Sequence, residues 1–154
     1  MKTSQQLRYQ RGVTSVEFSI IGTLLFILLF GIIEFGRLLS TFVTLGESTR
    51  RAARLATVCP VNDPGITNTG LFGNLPGFTS TNLQIQYLKD DGTILGSPAG
   101  ADYPNIQYVR VQVTGYTISL AIPLINPRVP APAFAVTLPR EALGVTRDTT
   151  YTCS

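Results

Sequence analysis

Glu17 is the first residue of this sequence that asks for a chemical explanation. It stands in the stretch RGVTSVEFSIIGT, residues 11–23, with Val13, Val16, Phe18, Ile20 and Ile21 around it. A charge near the middle of a membrane-length apolar segment costs about 2.5–3.5 kcal/mol on insertion scales, and less near an interface. Glu17 lies at one end of the apolar run 18–33, so its cost is smaller, but it still needs a partner. Glu34 and Arg37 close the other end of that run; spaced i, i+3, they share a helix face and can pair. Asp90 and Asp91 are adjacent carboxylates, but Gly92 follows them, and turn chemistry explains the trio better than acid–base or calcium chemistry.

Other chemistry is missing at the level of residue types. The sequence has no histidine, which removes Ser-His-Asp and Cys-His arrangements and histidine metal ligands. It has no Gly-x-Ser-x-Gly elbow, phosphate loop or dinucleotide fingerprint. The two cysteines, Cys59 and Cys153, do not form a Cys-x-x-Cys pair, so no zinc site is read here. The sequence therefore reads as a non-enzyme with no catalytic, metal or cofactor site. In an exported compartment the cysteines can form one disulfide; the alternative is two buried free thiols.

The elements that must position these residues follow from composition. Of 154 residues, 44% are hydrophobic and only 14% charged, against a usual charged share of ~25%. The run 18–33 supplies most of that lean, with only small or mildly polar interruptions at Ser19, Gly22, Thr23 and Gly31. The net charge of +3 is also local: Lys2, Arg8 and Arg11 precede the run without an accompanying acid, and the remainder balances. There is no basic stripe interleaved with aromatics, so no nucleic-acid partner is expected.

Three readings of the N-terminus compete. A secretory signal peptide fits the basic start, but the apolar run exceeds the usual ~7–15 residues, and Glu34, Phe35, Gly36 and Arg37 follow it in place of a small-residue cleavage site. A plain transmembrane anchor fits the length, since a span needs roughly 20 apolar residues and Val13 to Val16 extend the run. The basic residues then place the N-terminus in the cytoplasm, and Glu34–Arg37 marks the outer membrane boundary. Only the third reading explains Glu17. A cut between Gly12 and Val13 removes the basic leader, creates an α-ammonium at Val13 and makes Glu17 the fifth residue. That ammonium can pair with Glu17 of a neighbouring chain and fix the axial stagger of packed helices.

These residues carry a family resemblance. RG/VTSVEF resembles the cleavage region of type IV pilin-like proteins: a basic leader, Gly before the cut, Glu at position five, then the aromatic Phe18. EFSIIGTLLFILLFGIIEFGRLL, with its Gly31-x-x-Glu34-x-Gly36-Arg37 element, is similar to the TadE-like minor pseudopilins of the tight-adherence (Flp) pilus system. The resemblance spans roughly residues 8–57. It implies a structural assembly subunit processed by prepilin peptidase, anchored in the bacterial inner membrane with a periplasmic C-terminal domain. Implied partners are the membrane, other pilin or pseudopilin subunits and inner-membrane pilus assembly proteins. One departure is noted: such helices often carry a proline several residues after the Glu, where this chain has Gly22-Thr23, so any bend must come from Gly22. The alternative is an uncleaved, membrane-anchored periplasmic binding or adhesion module.

The helical pattern continues past Arg37. Leu38, Phe42, Leu45, Ala52, Ala53 and Ala56 form one apolar stripe, with Thr44, Glu47, Arg51 and Arg54 opposite. Arg50, Arg51 and Arg54 suit the negative end of a helix, and Cys59-Pro60 stops it. A helix over 13–58 is about 69 Å long at ~1.5 Å per residue. Beyond it, residues 60–78 read as a Gly/Pro/Asn-rich loop and 83–87 as a half-buried strand, with Asp91-Gly92 turning it back on 93–95. The segment 108–122 is the clearest strand signal. Its inward parity switches at Gly115, where one extra residue restores facing. Residues 123–132 read as irregular, 134–138 as a strand and 145–153 as a last, polar one. The expected class is α+β: a leader over 1–12, a long helix over 13–58 that is membrane-spanning in its first half, and an exported, mostly antiparallel sheet domain over 59–154. The helix stripe covers the sheet. A Cys59–Cys153 bond would close a loop of nearly 100 residues, worth roughly 4–5 kcal/mol by loop entropy.

Overall fold

The computed structural model describes residues 6–122, 127–145 and 153, with the backbone alone over 6–12. Helix α1, Gln6–Val58, is unbroken and passes through Gly22 without interruption. Its two halves differ in what covers them. Between Val13 and Ile33 every large hydrophobic side chain is exposed, Phe18 at 76% and Ile21 and Ile27 at 68% each. From Thr41 onward a stripe of Leu45, Ala52, Ala53 and Ala56 is fully buried. Leu38 and Phe42 pack against the same core at its edge. Ser48, Thr49 and Thr57 join the buried stripe. Their hydroxyls do not go unpaired: Thr49 donates to the Leu45 carbonyl at 2.8 Å and Thr57 to that of Arg54 at 2.8 Å. Small hydroxyl side chains that bond their own helix can face a core at little cost.

The segment after α1 holds a short helix where a loop was expected. Helix α2, Pro64–Gly70, is started by Asp63, whose carboxylate accepts the Gly65 amide at 2.7 Å, with Pro64 in the first turn. Its glycines and threonines are poor helix formers, and tertiary contact supplies what propensity lacks. Ile66 is fully buried, and Gly70 lies so close to α1 that a Cβ there would fall 2.6 Å from that of Ala52.

Strands β1 (Leu83–Leu88), β2 (Tyr108–Val113) and β5 (Ala135–Pro139) form an antiparallel sheet in the order β1-β2-β5. Register aligns Ile85 with Val111 and Val136, and Tyr87 with Val109 and Leu138, so the alternating apolar residues share one face. Val109 and Val111 are fully buried beneath α1. The outer face carries Gln84 and Gln112, bonded side chain to side chain at 2.8 Å. The strands β3 (Thr117–Ser119) and β4 (Arg128–Pro130) make a separate two-stranded sheet. Gly115, at φ +66°, is therefore an exit from the first sheet and not a bulge within one long strand. The inward parity on both sides of it survives, with Tyr116 and Ile118 buried. The turn at Asp91-Gly92 forms, but the returning strand amounts to a single bridge, Leu88 to Ile94, because Leu95 turns into the core. Part of 123–132 is the short strand β4. The polar strand expected over 145–153 lies outside the described residues, apart from Val145 and Cys153.

Strand β5 runs beside α1 in the same direction. Phe134 before it meets Phe42 at 6.0 Å between ring centroids, and Glu141 after it donates its amide to the Thr57 carbonyl at 3.1 Å. From 42 to 57 the helix rises about 22 Å, and from 134 to 141 an extended chain covers about 23 Å, so the two lengths match. Leu143 and Gly144 donate to the Thr57 and Val58 carbonyls, so the helix C-terminus is capped by chain some 85 residues away in sequence. The Cys59–Cys153 disulfide, with Cα atoms 5.7 Å apart, ties the same end. Asp63, besides starting α2, accepts the Cys153 amide at 3.0 Å.

Tyr87 is buried in this core, and its hydroxyl accepts the Asn62 amide at 3.3 Å. Burial pushes its phenol above the ordinary value. A group whose native pKa is raised contributes stability that is complete below the unfolded value of about 10 and falls as pH rises through the native one. Thermal unfolding in detergent should therefore show wild type losing stability between about pH 9 and 11 more steeply than Tyr87→Phe. Parallel curves would show that the phenol is not the alkaline-sensitive group.

Candidate functional site

The candidate residues fall at two stations on α1 and one staple at its end. At the first station, Gly12 and Val13 lie inside the helix, and Glu17 and Phe18 are exposed on its bare half. Among the described residues no cation pairs with Glu17. The surrounding hydroxyls are satisfied locally: Ser19 donates to the Ser15 carbonyl at 2.9 Å and Thr23 to that of Ser19 at 2.8 Å. This leaves a shallow helix face lined by Ser15, Ser19 and Thr23 on which the Ser19 and Thr23 hydroxyls are already bonded. Such a face tolerates lipid and permits close helix approach.

The second station lies about 26 Å along the axis. Arg37 grips Glu34 with two nitrogens, Nε reaching Oε2 at 3.1 Å and Nη2 reaching Oε1. The expected i, i+3 pair is present, and it does more than pair. Arg37 Nη2 also donates to the Ser119 carbonyl, and Glu34 Oε1 accepts the Ala121 amide at 2.8 Å. One bidentate ion pair thus binds a carbonyl and an amide of the chain leaving β3. Charge-assisted bonds of this kind are shorter and stronger than neutral ones. They hold the β3–β4 sheet to the helix at the level where the bare half begins. No local sequence signal could have revealed Ser119 and Ala121 as partners, because backbone groups carry no side-chain signature.

Further along, Arg51 bonds Glu47 at 3.1 Å and lies 4.0 Å from the centre of the Phe72 ring. The Ser48 hydroxyl accepts the Phe72 amide at 2.9 Å. These contacts lay the chain after α2 along α1, giving Arg51 a structural role. Asp91 accepts the Thr93 amide at 2.8 Å, and that bond holds its carboxyl below the ordinary carboxylate range. The adjacent Asp90–Asp91 carboxylates thus belong to a turn. Among the described residues, no group of three or more His, Cys, Asp or Glu could hold a metal ion.

The class this arrangement defines is an α+β protein built on one helix, long and apolar enough in its N-terminal part to cross a membrane, with none of that apolar window buried. Residues 12–54 match the family model described as TadE-like protein. The match spans both stations and ends before the sheets begin. The family is a structural, pilus-associated one and not an enzyme family. No curated protein and no solved structure matches this chain.

Replacing Arg37 by Ala removes the grip on Ser119 and leaves Glu34 without its cation. Deuterium exchange should show the Ala121 amide exchanging several-fold faster, while the Val111 amide, inside the β2 ladder, keeps its protection. An unchanged Ala121 would show that the ion pair does not hold β3.

Proposed function

We propose that this protein is a pilin-like structural subunit, a minor pseudopilin of the tight-adherence pilus machinery. Prepilin peptidase cuts it between Gly12 and Val13. It crosses the bacterial inner membrane once, N-terminus in the cytoplasm, with the sheet domain in the periplasm. Glu34 and Arg37 sit at the outer boundary. Its partners are other pilin or pseudopilin subunits and the inner-membrane assembly proteins.

The observation that carries this reading is Glu17, an exposed carboxylate on a helix half whose apolar window is nowhere buried among the described residues. A helix apolar on all sides belongs in a core or in lipid, and no core is built around this one. Two unit charges about 4 Å apart attract by about 4 kcal/mol at an effective dielectric of 20. That is comparable to the insertion cost of a mid-membrane charge, about 2.5–3.5 kcal/mol. A neighbour's Val13 ammonium can therefore offset what Glu17 costs. Four residues separate the two groups, so the pair sets neighbouring helices about 6 Å out of axial register. The bonded hydroxyl face beside Glu17 supports the same contact, since small side chains let helices approach.

Glu17→Ala should leave membrane insertion intact and abolish assembly with other pilin-like subunits, read by co-purification from cross-linked membranes. Normal assembly by the variant would sink the ion-pair mechanism.

A further inference from the structure

The β3–β4 connection leaves the sheet at Ser119 and descends beside the bare half of α1. Between them lies a groove of about 590 Å³, lined by Ile27, Phe30, Phe35 and Leu38 on the helix and by Leu120 and Ile122 on the connection, with Glu34 at its rim. The lining is apolar on both sides and still open: Ile27 is 68% exposed, Phe30 55% and Ile122 39%. We propose that residues 120–122 are seated in the outer leaflet of the bilayer, and that the groove takes an acyl chain of an outer-leaflet phospholipid. This inference rests on the reading of α1 as a membrane span.

Three observations support it. The first is depth. A hydrocarbon layer of ~30 Å corresponds to about 20 residues of helix, so a span that starts at Val13 ends near Ile33. Ile27 and Phe30 lie on the hydrocarbon side of that level, so Ile122, which shares a groove with them, reaches into the same layer. The second is polar satisfaction. Backbone groups at membrane depth must be bonded internally, and three at the top of this connection are. The Ser119 carbonyl is taken by Arg37, the Leu120 amide by the Pro127 carbonyl at 3.0 Å, and the Ala121 amide by Glu34 at 2.8 Å. The third is charge. Arg37 stands at the groove's upper end with its side chain 46% exposed, at the level of a phospholipid phosphate. The Glu34–Arg37 pair thus fixes the connection to the helix and also marks where lipid tails give way to headgroups.

The chain has no tryptophan, so a single introduced one reports its own surroundings. The full-length protein is placed in phospholipid nanodiscs with plain or brominated acyl chains, in three versions. Ile122→Trp probes the connection and Phe26→Trp the span. Ile94→Trp lies in the turn after β1, at the end of the sheet near the C-terminus of α1. Formation of the Cys59–Cys153 bond checks the fold of each, and Ala121→Trp repeats the measurement at the neighbouring exposed position. The expected result is blue-shifted, bromolipid-quenched emission from Ile122→Trp and Phe26→Trp, with Ile94→Trp red-shifted and quenched only by aqueous acrylamide. If Phe26→Trp is quenched by lipid while Ile122→Trp and Ala121→Trp behave like Ile94→Trp, the seating is overturned and the span stands. If Phe26→Trp also behaves as though in water, the span reading falls and the inference with it.

Discussion

Helix α1 carries two different surfaces along one unbroken hydrogen-bond ladder. Its first half carries hydrophobic side chains on all sides, and among the described residues none of them is buried. Its second half carries a narrow stripe of Leu, Ala, Ser and Thr that forms the spine of a folded domain. Nearly everything else is arranged along that rod. The three-stranded sheet presents its valine face to the stripe, β5 runs alongside for a matching length, and chain from 141–144 caps the far end. The small residues of the stripe, Ala52 above all, allow α2 to approach to the limit set by Gly70. A larger side chain at either position would force the two helices apart.

The transition between the two halves is the second structural decision. The chain leaves the main sheet at Gly115 to build the small β3–β4 sheet, which reaches down to the Glu34–Arg37 pair. That pair joins helix to domain at a level where apolar contact cannot discriminate one side of the helix from another. Directional, charged hydrogen bonds to two backbone groups can. Without them β3 would be held mainly by Tyr116, whose hydroxyl bonds the Pro76 carbonyl and whose ring meets Phe78, and by Ile118.

What was legible in the sequence was whatever has a local period or a local spacing. The stripe on α1, the alternation in β1, β2 and β5, the Asp-Gly turn and the i, i+3 charge pair all depend on residues close in sequence. An exported compartment favours a Cys59–Cys153 disulfide over two buried free thiols, and the structure forms the bond. Apart from that bond and the stacking of helix on sheet, long-range relations are illegible. The division of 108–122 between two sheets looked like a parity correction, because a glycine that permits positive φ can serve either purpose. Helix α2 was hidden by its glycines and threonines, although Asp63-Pro64 is a serviceable start signal. The backbone partners of Glu34 and Arg37, and the capping of α1 by 141–144, follow only from tertiary placement. Glu17 is the reverse case. Its position is plain in the sequence, and among the described residues it has no ion-pair partner.

Glu17 thus ties the bare helix half to the proposed role, since an exposed apolar surface and a carboxylate that pairs with no cation among the described residues both call for a further partner. A cut at Gly12 would generate the cation that answers the carboxylate, and neighbouring helices would cover the surface. The most direct test is the intact mass of the protein recovered from membranes of its native host. A mature chain beginning at Val13 is the expected result. A chain that retains the leader residues through Gly12 would contradict the pilin-like mechanism and leave a permanently anchored periplasmic domain in its place.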